Sequence, residues 1–243
     1  MDAGMTAATR PERHPQDWYV EQTWTSRALM EMVAFDRDYV VWDPCCGLGT
    51  IPQAFAAAGV AAVGTDLVDR WSAQTLGMPH LFMGTHDFLG DQTHILERWA
   101  LLSIVFNPPY GCKPDIADRF VRQALSLASG KVCALLPIGW RVREKRFDFF
   151  QRFPPAEILE FCDRPSMPPG TALHDRDPRT GKPTAWRRGI TDYAWYVWDR
   201  HIPKPDTIIR LIPPRSAEQK VADRAFDLMR VGVLPPLEER AAA

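Results

Sequence analysis

The chain has 243 residues, 46% of them hydrophobic, and a formal net charge of −1 at pH 7. This length and apolar content suit one large α/β domain or two small ones. The near-neutral charge excludes a global attraction to nucleic acid, so a polyanion site would have to be a local patch. The sequence has no apolar run of membrane-spanning length and no apolar signal segment at its start, so we expect a cytoplasmic protein without a membrane partner.

The cysteines point to the same compartment. They form no Cys-x-x-Cys pair and have no histidine at zinc-ligand spacing. This pattern is typical of reduced thiols in a cytosolic protein, and we expect no bound metal. The five positions are Cys45, Cys46, Cys112, Cys133 and Cys162.

The start of the chain divides at about residue 17. Residues 1–16 are rich in Ala, Thr, Arg and Pro without periodicity, which predicts a flexible tail, and residues 17–243 are expected to form one domain. Thr25 or Ser26 is predicted to cap a helix that continues through residue 33. Trp24 and Thr25 could then lie over a ligand, or Trp24 could pack on the core as a hydrophobic staple.

The first predicted strand, residues 39–42, leads into the turn DPCCGLGT at residues 43–50 and a helix at residues 51–58. Gly47 and Gly49 permit positive φ and a close approach of backbone to a ligand. The turn lacks the Lys-Ser/Thr ending of a phosphate-binding loop. Asp43 would attract a cation, which suits a ligand with an ammonium group; the alternative is an ordinary strand–helix turn.

Two acidic positions follow the next strands. Residues 61–65 predict a strand that ends at Asp66, about 20 residues after the glycine turn, where an acidic side chain holds a ribose in nucleotide-binding sheets. A helix N-cap is the alternative for Asp66. After a short strand at residues 80–83, Asp87 could accept from an exocyclic amine and Phe88 could stack on an adenine.

The fourth strand, residues 101–106, ends in Asn107-Pro108-Pro109-Tyr110. Each proline restricts φ and lacks an N–H group, so this loop is stiff. The Asn107 side-chain oxygen and the Pro108 carbonyl could accept two amine hydrogens of a planar substrate, and Tyr110 could stack on its ring. The alternative is a proline-rich strand exit.

The second half of the chain carries the basic residues. Residues 116–128 predict an amphipathic helix, 132–136 and 158–162 predict strands, and 141–152 predict a helix with a basic outer face. Residues 163–191 form a long loop rich in Pro and Arg, before strands at 191–198 and 208–212 and a last helix at 217–231. The basic side chains form a solvated surface or contact a phosphate backbone. The candidates are Arg141, Arg143, Arg164, Arg176, Arg179, Lys182, Arg187 and Arg188.

Strands that alternate with helices predict one Rossmann-like, doubly wound, mostly parallel α/β sheet with an antiparallel last strand. The glycine turn, Asp66 and the Asn-Pro-Pro-Tyr loop together resemble class I S-adenosylmethionine-dependent methyltransferases, specifically a prophage-type DNA adenine N6-methyltransferase family. In that group the sequences RPSMPPG and YAWYVW, here residues 164–170 and 193–198, also recur. The resemblance covers about residues 17–212.

The resemblance implies S-adenosylmethionine as cofactor and DNA, or RNA, as substrate. It implies that Asn107 contacts both the target amine and the donor. Pro108, Pro109 and Tyr110 would complete the catalytic loop. The residues implied for the donor are Asp43, Cys45, Gly47 and Gly49 for its methionine part, Asp66 for its ribose, Asp87 and Phe88 for its adenine, and Trp24 and Thr25 for its amino-acid end. The chain departs from the pattern in having no separate target-recognition domain after the core.

The expected reaction is methyl transfer to adenine N6 in DNA. The same four-residue loop also serves methyltransferases that act on guanine N2 in RNA or on a protein glutamine amide, so both remain alternatives. A non-catalytic nucleic-acid-binding module is the alternative of another class.

Overall fold

The computed structural model describes residues 16–71, 78–111, 115–202 and 206–235. Its strands are β1 (Val40–Asp43), β2 (Ala62–Asp66), β3 (Phe82–Thr85), β4 (Leu102–Phe106), β5 (Lys131–Pro137), β6 (Glu157–Phe161), β7 (Tyr193–Asp199) and β8 (Ile208–Ile212). They form one eight-stranded sheet in the order β3-β2-β1-β4-β5-β7-β6-β8. The helices are α1 (Thr23–Met32), α2 (Thr50–Ala57), α3 (Thr93–Arg98), α4 (Ile116–Leu127), α5 (Phe147–Arg152) and α6 (Ala217–Arg230).

The predicted fold class is confirmed. The pairs among β3, β2, β1, β4 and β5 are all parallel, whereas β7 is antiparallel to both β5 and β6. The antiparallel strand therefore lies inside the sheet, and β8, the last strand in the chain, is an edge strand parallel to β6.

Both faces of the sheet are covered, which explains the continuous apolar runs of its central strands. Every residue of β4 is buried. Ile104 and Phe106 belong to one core cluster, and Val105 between them belongs to the other. This alternation follows from successive side chains in a strand pointing to opposite faces.

Three local predictions differ from the structure. Helix α1 begins at Thr23, ahead of the predicted caps Thr25 and Ser26, which lie inside it. Helix α3 was not predicted. The single basic helix expected at residues 141–152 is instead two short 3₁₀ turns followed by α5, because Arg146 faces inward and bonds Asp118.

The long loop at residues 163–191 is packed against the rest of the domain. Its Leu173 and Trp186 are buried in a small apolar cluster with Leu228 of α6. The Trp186 indole N–H donates to the carbonyl of Val20 at 3.0 Å. The loop thus joins the N-terminal segment to α6.

Several expectations fall on other parts of the chain. The predicted tail, residues 1–16, lies outside the described residues except for Gln16, and so do Cys112 and residues 236–243. Within the described ranges, no helix combines the length and apolarity needed to cross a membrane.

Candidate active site

A cavity of about 480 Å³ lies at the carboxyl ends of β1, β2, β3 and β4. The strand order reverses between β1 and β4, and such a switch point is where open α/β sheets bind ligands. Seven of the predicted site residues line this cavity, namely Cys45, Gly47, Asp66, Asp87, Phe88, Asn107 and Pro109. Six others are not part of its lining, namely Trp24, Thr25, Asp43, Gly49, Pro108 and Tyr110.

The glycine turn after β1 is shaped by two different neighbours. Gly47, at φ +51°, donates its backbone N–H to Asp66 Oδ2 at 2.7 Å, which joins the turn to the end of β2. Gly49, at φ +72°, lies under the buried Trp71, and a Cβ atom there would come within 2.3 Å of the indole ring. Gly49 is therefore required by packing, whereas Gly47 brings backbone to the cavity.

Asp66 is buried in the cavity wall and accepts three hydrogen bonds from described residues. Besides Gly47, it accepts from the backbone of Val68 at 3.1 Å and from Arg70 Nη1 at 2.9 Å. The Arg70 guanidinium lies 4.8 Å from the centre of the Trp18 ring. A ribose at Asp66 would share this carboxylate with Arg70 or displace it.

Three carboxyl groups, those of Glu21, Asp43 and Asp66, interact at this end of the sheet. Burial raises the pKa of Glu21. Burial, reinforced by the charges of Glu21 and Asp66, raises the pKa of Asp43 well above its usual range. Asp43 accepts from the Cys45 N–H at 3.1 Å, so it orders the turn from behind the cavity wall.

The Asn107 side chain is held on both sides. Its Nδ2 donates to Glu21 Oε2 at 2.9 Å, and its Oδ1 accepts from the Tyr110 hydroxyl. The Asn107 carbonyl accepts from Cys45 Sγ at 3.3 Å. Glu21 was missed in the sequence analysis because it lies 86 positions away along the chain and belongs to no motif.

Tyr110 does not occupy the stacking position predicted for it. Its hydroxyl lies 2.7 Å from the carbonyl oxygen of Leu135, and its ring, partly buried against both core clusters, lies 6.0 Å from that of Tyr193. Asp17 holds the loop from outside by accepting from the backbone N–H of Tyr110 at 2.6 Å and from that of Gly111. Tyr110 therefore supports Asn107 from below.

The proposed placement of Trp24 and Thr25 over a ligand is not what the structure shows. Trp24 is 3% exposed, packs edge-on against Phe161 and has the Arg215 guanidinium 3.7 Å from its ring centre. Thr25 donates to the carbonyl of Gln22 within α1. Trp24 therefore packs on the core in this structure, and residues 16–21 line the cavity.

The predicted adenine pair is at the cavity wall in two different environments. Asp87 is exposed and accepts from the backbone of Leu89 at 2.9 Å. Phe88 is 2% exposed and packs against Trp42 and Phe120, so most of its ring belongs to the core.

The basic residues contribute to a second groove of about 580 Å³, between the long loop and α6. Three of its six cations were not predicted, because they lie on α6 or just before it, where the sequence pattern predicts a closing surface helix. Six cations line it, namely Arg164, Arg187, Arg188, Arg215, Lys220 and Arg224, together with Asp163. The groove lies close to Asn107. Gln22 and Ser166 line it, and their neighbours in the chain, Glu21 and Met167, both contact the Asn107 side chain.

Half of the predicted nucleic-acid contacts already have protein partners. Arg141, Arg164 and Arg187 pair with Glu160, Asp192 and Asp177 respectively. Arg176 donates to backbone carbonyls of Gly181 and Val233. The remaining four are exposed and form no ion pair with any residue in the described ranges; they are Arg143, Arg179, Lys182 and Arg188.

No cluster of His, Cys, Asp and Glu side chains suited to a metal ion occurs in the part of the chain that the structure describes. No protein-family model matches the chain. No curated protein sequence matches it either.

Solved structures do resemble it. The methyltransferase subunit of a type I restriction-modification system from Streptococcus thermophilus has a TM-score of 0.54 and 9% identity, over 87% of this chain and 53% of that one. A proposed type I modification subunit from Vibrio vulnificus has a TM-score of 0.50 and 12% identity, over 89% and 53%. Magnesium protoporphyrin IX methyltransferase from Synechocystis, with bound S-adenosylmethionine, has a TM-score of 0.43 and 15% identity, over 73% and 79%.

The chain therefore spans about half the length of the two type I subunits that it matches. At these identities the likeness concerns the fold. The chain has the Rossmann-like fold of class I methyltransferases.

Proposed function

We propose that this chain transfers a methyl group from S-adenosylmethionine to an exocyclic amine, and that the amine is adenine N6 in DNA. One observation carries the proposal. The Asn107 amide of the Asn-Pro-Pro-Tyr loop and the Asp66 carboxylate line a single cavity at the switch point of the sheet.

The cavity wall suits the donor. Asp66 would hold its ribose, Cys45 and the Gly47 backbone its methionine part, and Asp87 and Phe88 its adenine. The carboxyl groups of Glu21 and Asp66 line the cavity and can accept hydrogen bonds from the ammonium group of the donor. When bound, S-adenosylmethionine supplies an electrophilic methyl group.

The acceptor groups of the loop explain how a weak nucleophile could react. The lone pair of an exocyclic amine is delocalised into its ring. An amide oxygen has two lone pairs, so Asn107 Oδ1 can accept from the amine as well as from Tyr110. A second bond from the amine to the Pro108 carbonyl would favour a pyramidal nitrogen. Alignment and preorganised dipoles then supply most of the acceleration.

The groove between the long loop and α6 supports nucleic acid as the substrate. Arg164, Arg187, Arg215 and Lys220 in its lining are ion-paired, which leaves Arg188 and Arg224 without an ion pair within the described ranges. The groove adjoins the catalytic loop through residues 166–167. Phosphate groups in such a groove would hold DNA in place, while the target base would have to leave a duplex to reach Asn107.

The test is methyl transfer from labelled S-adenosylmethionine to duplex DNA, single-stranded DNA, total RNA and a protein extract, followed by nucleoside mass spectrometry. N6-methyladenine in DNA is the expected product. Label in RNA or protein alone would contradict the DNA substrate, while donor binding without any label would favour a binding module.

Two variants separate the roles. Asn107→Ala is expected to lower kcat by about 10²–10³-fold, the usual effect of removing a transition-state hydrogen bond, with donor Kd nearly unchanged. Asp66→Ala is expected to weaken donor binding by about 10–100-fold, because a charged hydrogen-bond partner is lost. If calorimetry showed lost donor binding in Asn107→Ala, or an unchanged donor Kd in Asp66→Ala, these assignments would be refuted.

A further inference from the structure

We propose that Glu21 is a positioning residue that determines which way the Asn107 side-chain amide points. The inference rests on the proposed function, because that orientation matters only if Asn107 Oδ1 accepts from a substrate amine. Glu21 is 6% exposed and lies directly before α1, with its Oε2 2.9 Å from Asn107 Nδ2.

The chemistry of the partners explains why Glu21 decides the orientation. An ionised carboxylate only accepts hydrogen bonds, so it binds the NH₂ end of the amide and turns the oxygen away. The other close partner, the Tyr110 hydroxyl, can donate or accept, and it also lies 2.7 Å from the Leu135 carbonyl. Tyr110 is therefore compatible with either orientation of the Asn107 amide, whereas ionised Glu21 is compatible with one.

A buried network favours the ionised form of Glu21. Arg230, at the end of α6, is 1% exposed and donates to the Thr50 hydroxyl at 2.9 Å. The Arg230 charge and the Thr50 hydroxyl both stabilise the Glu21 carboxylate. Asp227, which accepts from Thr23 Oγ1 at 2.5 Å, lies on the other side of Arg230.

Other groups oppose ionisation, so the proton on Glu21 can change in an accessible pH range. Burial raises its pKa, and the charge of Glu21 in turn raises the pKa of Asp43. The titratable and charged groups that interact with Glu21 are Asp43, Cys45, Cys46, Tyr110 and Arg230. A protonated Glu21 could donate to Asn107 Oδ1 if the amide turned over. The amide would then present its NH₂ group to the substrate amine, and no hydrogen bond could form because both groups are donors.

The first test reads the amide directly and does not depend on activity. Asn107 is the only asparagine in the sequence, so ¹⁵N-asparagine labelling gives a single side-chain NH₂ signal. In the wild-type protein we expect this signal to shift as the pH falls and Glu21 is protonated. In Glu21→Gln we expect a displaced signal without that pH-dependent step, whereas Glu31→Gln, an exposed charge loss on α1, should behave as wild type. A step that persists in Glu21→Gln would overturn the proposal.

The second test uses the full chain with S-adenosylmethionine and DNA. Glu21→Gln is nearly isosteric and can bond either end of the Asn107 amide, so we expect kcat to fall about 10–100-fold from misorientation. The acid limb of the kcat–pH profile should disappear in the same variant. An unchanged kcat, or a loss confined to KM, would overturn the positioning role.

The two tests distinguish failure of this inference from failure of the proposed function. If no substrate is methylated but the Asn107 signal depends on Glu21, the positioning contact stands and the assigned reaction is wrong. If methylation is found but the Asn107 NH₂ signal is the same in Glu21→Gln as in the wild-type protein, the reaction stands and the contact has no orienting role.

Discussion

Replacement of Gly49 by alanine is expected to destabilise the protein by about 2–5 kcal/mol. An L-residue at φ +72° costs about 1–2 kcal/mol. The new Cβ would also lie 2.3–2.5 Å from three ring atoms of Trp71, which is fully buried and cannot swing into solvent. Overpacking of this kind costs about 1–3 kcal/mol more.

Urea unfolding measures the loss of free energy, and Gly181→Ala is the matched control. Gly181 also has positive φ, at +65°, but nothing lies within 4 Å of a Cβ added there. The control should therefore lose only the backbone contribution of about 1–2 kcal/mol. Equal losses in the two variants would refute the argument that Trp71, and not the ligand, requires Gly49.

Two further predictions concern charge. Because burial raises the pKa of Asp43, the folded state retains a proton that the unfolded chain releases, and stability should fall as pH rises above about 4. Asp43→Asn should flatten that slope in urea unfolding across pH without donor, and an unchanged slope would contradict it. Replacement of both Arg143 and Arg188 by alanine should weaken duplex binding and reduce the salt dependence of log affinity by up to about 2. Arg200→Ala is the control, because Arg200 lies beside the amino end of β5 and so at the opposite end of the strands from Asn107. An equal effect there would argue against a localised DNA contact.

Local patterns were enough for most of the sheet. Residues 208–212 were predicted as a strand, and β8 spans Ile208–Ile212. The strands β1, β2 and β4 each begin and end within one residue of prediction, because short apolar runs between turn residues have few other ways to be buried. Residues 141–152 were harder: their charges suggest a solvated face, but Arg146 is buried by a partner on α4, and no local pattern shows that partner.

The glycine turn, the stiff proline loop and the strands of the parallel sheet could be predicted from local patterns, because each depends mainly on neighbouring residues and their backbone preferences. Only the tertiary structure decided which side chains meet. It brought Glu21 to Asn107, Asp17 to Tyr110 and α6 to the long loop, over separations of dozens of residues or more. It also turned Tyr110 into the core, since a buried hydroxyl needs a partner and the carbonyl of Leu135 supplies one.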